Sequence, residues 1–367
     1  LPLRAAFHAA QVVVHGRAEP ARLERHLPEQ DHRAGARRLL DSELGLELQA
    51  AQASRFSHLS DDRMNYAYQL DSGLYAKFLR AMAEGDGASR IDPRLVSIRR
   101  VIDLNDRFLR RVVTGLGGRA HGVPREDAFD ISAASEVMAV LCLASDYTDL
   151  KVRLGRMIAG FTREGALVRA SDLRAEGAMA ALLRDAMLPN MVQTTEGAPA
   201  LVHGGPFGNI AHGCNSIIAT RLLMRRADVV FTEAGFGFDL GAEKFLDIKC
   251  RAAGFWPHAI VLVVTVRALK FHGGVKAADA AAPNLGALSR GMENLHKHLE
   301  SVRRFGIEPI VAVNVRAEDP ADEIAFIVDE LTRAGVDVAR ADVYGRGGDG
   351  ALELASRVLA RARSATP

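Results

Sequence analysis

From residue 190 onward, short apolar runs alternate with stretches of helical spacing, and few folds accommodate that alternation. The strand candidates are Asn190–Gln193, Pro199–Val202, Val229–Thr232, Ile260–Thr265, Ile310–Val313 and Asp337–Val343. Between them, Asn209–Arg226, Lys244–Ala253, Met292–Phe305 and Pro320–Ala334 repeat apolar residues at the spacing of one helix face. Runs that are apolar throughout, such as AIVLVV from Ala259, need cover on both faces. The expectation is an α/β fold: a mostly parallel sheet covered by helices on both faces. Such sheets bind ligands beyond the carboxyl ends of their strands, and here the glycine-rich segments follow strands.

The chain has 367 residues, room for more than one domain. Residues 1–60 are rich in Arg, Ala, Glu and Gln with little period, and read as an arm of helices and loops. Residues 61–275 read as the large α/β part, and 276–367 as a second, smaller α/β domain. The alanine-rich stretch GGVKAADAAAPNLGAL, 273–288, reads as the link between them. The first residues, LPLRAAF, lack an initiator methionine and the core of a secretion signal, which suggests a start partway through a longer product.

A formal net charge of +2 gives no electrostatic case for nucleic acid or a membrane surface. The longest apolar run, 259–266, is far short of the roughly 18 residues of a spanning helix. Cys142, Cys214 and Cys250 are widely spaced and odd in number, which suits a reducing cytoplasm. Cys214 and Cys250 have helical, apolar settings, those of inert thiols. His203, His212 and His272 lie in separate segments without short ligand spacing, so no metal site is expected.

Three loops after strands share glycine and cations. One carries Gly115, Gly117, Gly118, Arg119, His121 and Arg125; another Gly235, Gly237, Gly241 and Lys244; the third Arg267, Lys270, Gly273 and Gly274. A fourth segment, EGAPALVHGGPFGNIAHGCNS from Glu196, adds His203, Asn209 and His212 around a strand–turn–helix start. Close backbone approach and unpaired N–H groups at such turns favour anions, phosphate or carboxylate. Each turn is equally a solvated loop taken alone; together they point to one ligand cleft.

Longer blocks are more specific. RRVVTGLGGRAHGVPREDAFDISAASEVMAVLCLA, DVVFTEAGFGFDLGAEKFLDIKCRAAGF, VVTVRALKFHGG, MENLHKHLESVRRFGIEPIVAVN and DVYGRGGDGALELASRVL resemble the formate–tetrahydrofolate ligase family. The likeness runs from about residue 92 to residue 363. It implies a P-loop-NTPase-like fold and ATP-dependent ligation of formate to tetrahydrofolate through formyl phosphate. It also implies magnesium with the ATP, a monovalent cation and a homotetramer. Carried over from the family, Asp71, Arg119, Arg125, His203, Asn209, His212 and Lys244 are expected at the reacting groups. Arg267, Lys270, Arg316, Tyr344 and Gly347 are expected around the bound substrates.

This chain departs from the family pattern in places. No GKT or GKS occurs in it, whereas the family carries a GxxxxGKT phosphate loop. Arg316-Ala317 stands for a phenylalanine-proline pair, and Tyr344 for a tryptophan, at the expected pterin platform. Arginine and tyrosine both still present a flat face. The alternative expectation is a truncated or degenerate homologue that keeps the fold and binds ligand without turnover.

Overall fold

The computed structural model describes residues 9–15 as backbone, and residues 91–208 and 210–364. These fall into two compact units. One contains 9–15, 192–200, 207–208 and 210–364; the other contains 91–191 and 201–206. The candidates Asp71 and Asn209 lie outside the described residues.

The first unit is built on a five-stranded sheet: β1 (Ala9–His15), β10 (Val229–Phe236), β11 (Ala259–Val264), β12 (Ile310–Asn314) and β13 (Asp337–Ala341). Their order is β10-β1-β11-β12-β13. Strands β11, β12 and β13 pair parallel, Val261 with Ile310 and Ile310 with Asp337. β1 is antiparallel to both neighbours, so β10 and β11 run the same way. A strand inside residues 1–60 corrects the expectation of helices and loops there. Three consecutive valines, Val12–Val14, carry the β preference.

Alternation along the strands builds two cores. Ile260, Leu262, Val264, Val311 and Val313 face one layer of helices with Phe238, Phe245, Leu269, Leu295 and Ile327. Ala259, Val261, Ile310, Ala312 and Ala341 face the other way and meet Val358. Both faces are buried and apolar, as uninterrupted hydrophobic strands require. Helices α5 (Val266–His272), α6 (Leu285–Arg303) and α7 (Ala321–Arg333) supply the first layer, with the π- and α-helical stretch Gly237–Ala253. α9 (Leu352–Ser364) supplies the second. Helix α6 begins well before residue 292, inside the stretch read as a linker. Asn284 caps it by accepting from Ala287 N at 2.9 Å. Gly273 and Gly291 let α5 and α6 touch: a Cβ at either would run into the Ala287 or Leu269 carbonyl.

The second unit has helices α1 (Glu136–Leu143), α2 (Tyr147–Arg156) and α3 (Glu176–Leu182). Its strand pairs are β2 with β5 (Arg100–Val101, Phe129–Asp130), β3 with β4 (Val112–Thr114, Arg125–Asp127) and β6 with β7 (Ile158–Phe161, Leu167–Arg169). β8 (Asn190–Gln193) and β9 (Pro199–Val202), of which residues 192–200 with the connecting tip belong to the first unit, have the bounds expected from sequence but pair only with each other. Five residues between them close a hairpin and cannot make the crossover a parallel pair needs.

Candidate functional site

Because β10, β11, β12 and β13 run the same way, their carboxyl ends share one rim of the sheet. The segments leaving that rim carry Lys244, Arg267, Arg316, Tyr344 and Gly347. Thr265 caps α5 by accepting from Ala268 N at 3.1 Å, which fixes where Arg267 starts. Arg267 Nη2 lies 3.5 Å from Glu318 Oε2 and joins the segments after β11 and β12. Its Nε is buried with no hydrogen-bond partner among the described residues. Arg316 is exposed in the turn after β12, where Asp319 Oδ2 accepts from its N–H at 2.9 Å. Tyr344, on the short helix α8 (Val343–Arg346), is 97% exposed. Gly347 follows at φ +57°, a left-handed turn that favours glycine.

Lys270 is placed differently. It is 1% exposed, and its ammonium lies 2.8 Å from Glu323 Oε2 and 3.0 Å from the Ala282 carbonyl. Glu323, itself 0% exposed, also accepts from the Asn284 N–H. The Lys270 ammonium therefore fastens α5 to the segment before α6 and to the start of α7.

The loop after β9 is tied down by two lysines. Lys244 Nζ donates to the Gly208 carbonyl at 2.5 Å, and burial pulls its pKa below the ordinary lysine value. Lys249 Nζ donates to the Asn215 carbonyl at 2.7 Å and lies 5.4 Å from the centre of the Phe245 ring. His212 is buried in the same loop. Helix α4 (Ile217–Met224) starts later than residue 209, because Gly213 sits at φ +120° and Ser216 supplies the cap. Cys214 therefore lies in the loop, not in a helix. Desolvation, then the Glu233 carboxylate, pushes its thiol up to about 11. Burial pushes Cys250 up to about 12. Neither is a thiolate near neutrality.

In the second unit, Arg119 is exposed in the turn Arg119–His121, flanked by Gly118 and Gly122. Arg125 on β4 is engaged with Asp127 at 2.9 Å. His203 is 3% exposed, and its Nε2 lies 2.7 Å from the Ala186 carbonyl, so that nitrogen carries the hydrogen. The following glycines seat on sulfur: Gly205 N–H donates to Met138 Sδ at 3.4 Å, and a Cβ at Gly204 would strike Cys142 Sγ.

Burial lowers the His203 pKa, more than its bond to Ala186 raises it. A lowered imidazole pKa means the unfolded chain binds more protons than the fold between the two values. Its contribution is full above about 6.5 and is lost as pH falls toward the folded pKa. Proton NMR is expected to place the His203 midpoint below about 6.5. His203→Gln is expected to remove part of the acid sensitivity in that window. A midpoint at or above the free value contradicts the placement.

Sequence reasoning singled out neither Lys249 nor Glu323. A lysine inside the apolar run FLDIKC was the only available signal for the first.

A model of the family described as formate--tetrahydrofolate ligase matches residues 47–366. A formate–tetrahydrofolate ligase of Arthrobacter sp. (strain FB24) is 57% identical over 272 residues, 74% of this chain and 48% of the relative. That of Myxococcus xanthus is 57% identical over 269 residues, 73% and 49%. That of Paracoccus denitrificans is 58% identical over 275 residues, 75% and 50%. The chain thus spans about half the length of the curated relatives it matches. On a match that runs through both units and every segment of the rim, the chain belongs to the formate–tetrahydrofolate ligase family.

Proposed function

We propose that this chain carries the substrate-binding rim of an ATP-dependent formate–tetrahydrofolate ligase. The observation that supports it is the common direction of β10, β11, β12 and β13, which gathers Lys244, Arg267, Arg316 and Tyr344 at one edge. In this reading the γ-phosphoryl group of ATP passes to a formate oxygen, giving formyl phosphate and ADP. The tetrahydrofolate amine then attacks the formyl carbon, and the carbon–oxygen bond to phosphate breaks. Lys244 and Arg267 offset the negative charge of the anhydride, where fixed donors act best with water excluded. Arg316 and Tyr344 hold the pterin by its faces. Arg119, Arg125, His203, His212, Asp71 and Asn209 are proposed as the remaining site residues, on the family resemblance.

The same reading takes the sheet as P-loop-NTPase-like and assigns nucleotide and formyl phosphate to residues 61–275, folate stacking to 276–367. Among the described residues, no three His, Cys, Asp or Glu cluster to hold a metal. Magnesium is proposed to come on the phosphates of ATP, a common arrangement for that ion. A monovalent cation, a homotetramer and a cytoplasmic site belong to the proposal. No helix among the described residues is long and apolar enough to cross a membrane.

A second reading, folate binding without turnover, is favoured by the absence of GKT or GKS from the sequence. Formate-dependent ADP release by the purified chain in the presence of tetrahydrofolate separates the two. Release is the expected result; a folded chain that binds folate and releases none supports the second reading. Arg316→Phe is expected to tighten folate binding about threefold, within the range of an added aromatic contact. Unchanged affinity in calorimetry would remove Arg316 from the platform.

A further inference from the structure

The tip of the β8–β9 hairpin reaches the turn that presents Tyr344. The tip is well fastened: Thr194 N–H donates to the Ala198 carbonyl at 2.9 Å, Ala198 N–H to Thr194 Oγ1 at 3.0 Å, and Gly197 sits at φ +85°. From it Glu196 extends to Gly348, 152 residues away in sequence, and accepts its N–H at 2.7 Å. Bonds between a carboxylate and a backbone N–H are among the stronger kinds. The approach depends on glycine: a Cβ at Gly348 would lie 2.5 Å from Glu196 Oε2 and 2.7 Å from Oε1.

The base of the turn is held by Asp342, whose carboxylate accepts from Gly345 N–H at 3.0 Å and whose N–H donates to the Gly350 carbonyl at 3.1 Å. Its apex, Gly347–Gly348, is held by Glu196. Tyr344 is 97% exposed, so packing around its ring does not fix its place. Its position is that of the turn.

We infer that Glu196 is a positioning residue for tetrahydrofolate: it clasps the 342–351 turn from the hairpin tip and so sets where Tyr344 stands. The inference rests on the reading of Tyr344 as a pterin platform. The carboxylate itself touches no substrate in this role; it restricts the turn before the ring arrives. A platform held in place beforehand loses less freedom on binding than a mobile one.

The test uses the full chain, amide hydrogen exchange of the 342–351 peptide, and calorimetry with tetrahydrofolate. Glu196→Ala should speed Gly348 exchange and weaken folate binding, each about tenfold, the effect of one charge-assisted hydrogen bond. Glu196→Gln, which keeps an acceptor oxygen, should stay within about twofold of the parent in both measurements. Gly348→Ala, which puts a methyl group where the carboxylate lies, should mimic Glu196→Ala. Tyr344→Ala serves as the control for the platform itself. Unchanged exchange in Glu196→Ala overturns the clasp. Folate affinity that survives Glu196→Ala but falls in Tyr344→Ala overturns the positioning role while the platform stands. If Tyr344→Ala leaves folate binding intact, the platform reading fails and the positioning role falls with it, whatever the exchange shows.

Discussion

Glu323→Ala is expected to destabilise the sheet unit by about 3–5 kcal/mol, the cost of leaving one member of a buried ion pair alone. Two groups lose a partner together, the Lys270 ammonium, 1% exposed, and the Asn284 N–H, and the ammonium is left with the Ala282 carbonyl. Water cannot replace the carboxylate without opening the contact between α5 and the start of α7. Lys270→Met with Glu323→Leu should recover most of the loss, because apolar residues of similar volume leave no charge inside. Trp256, the chain's one tryptophan, lies in this unit with its ring 6.4 Å from Phe305, and its fluorescence in urea reports the transition. A loss below about 1 kcal/mol, the range of an exposed pair, would mean that Lys270 is not committed to Glu323 and is available to a ligand.

That pair shows where the sequence was legible and where it was not. Strands were legible because burial on both faces writes itself into consecutive residues: Ile260–Val264 and Ile310–Val313 each feed both cores. Helix α7, read as 320–334 and observed as Ala321–Arg333, was legible from its apolar stripe. Helix α6 was half legible. Gly291 and the alanines before it look like broken pattern, yet at Gly291 the Leu269 carbonyl of α5 leaves no room for a Cβ. A residue chosen for lack of a side chain leaves no hydrophobic period to count.

Charges were hardest to place. Lys270 and Arg267 sit three residues apart on one short helix and have different fates, one sealed beneath Glu323 and one at the rim beside Glu318. Their partners lie 53 and 51 residues away, beyond any local window. The same holds for Glu196 and Gly348. Family resemblance singled out Arg316 and Tyr344 because it compares whole segments; spacing alone showed only that glycine and cations follow the strands.

The two lysines that hold the 208–215 loop are expected to fail in different ways when removed. Lys249→Ala should cost about 3 kcal/mol, combining a lost charge-assisted hydrogen bond with a cavity at a fully buried position. Its side chain is 0% exposed, its ammonium supports the Asn215 carbonyl, and Phe245 lines its path. Lys244 is only partly buried, and its bond to the Gly208 carbonyl joins a loop to a helix near the rim. Its lowered pKa reflects burial of a cation with no carboxylate beside it among the described residues, a setting that an incoming phosphate or carboxylate would relieve. Lys244→Ala should therefore change the urea midpoint little and reduce formate-dependent turnover about 10²-fold, the cost of one charge-stabilising donor. Trp256 fluorescence in urea and ADP release, measured on the same two variants, check both expectations. If Lys244→Ala unfolds the unit as readily as Lys249→Ala and spares turnover, both ammonium groups serve the loop alone. The anhydride then loses one of the two cations assigned to it.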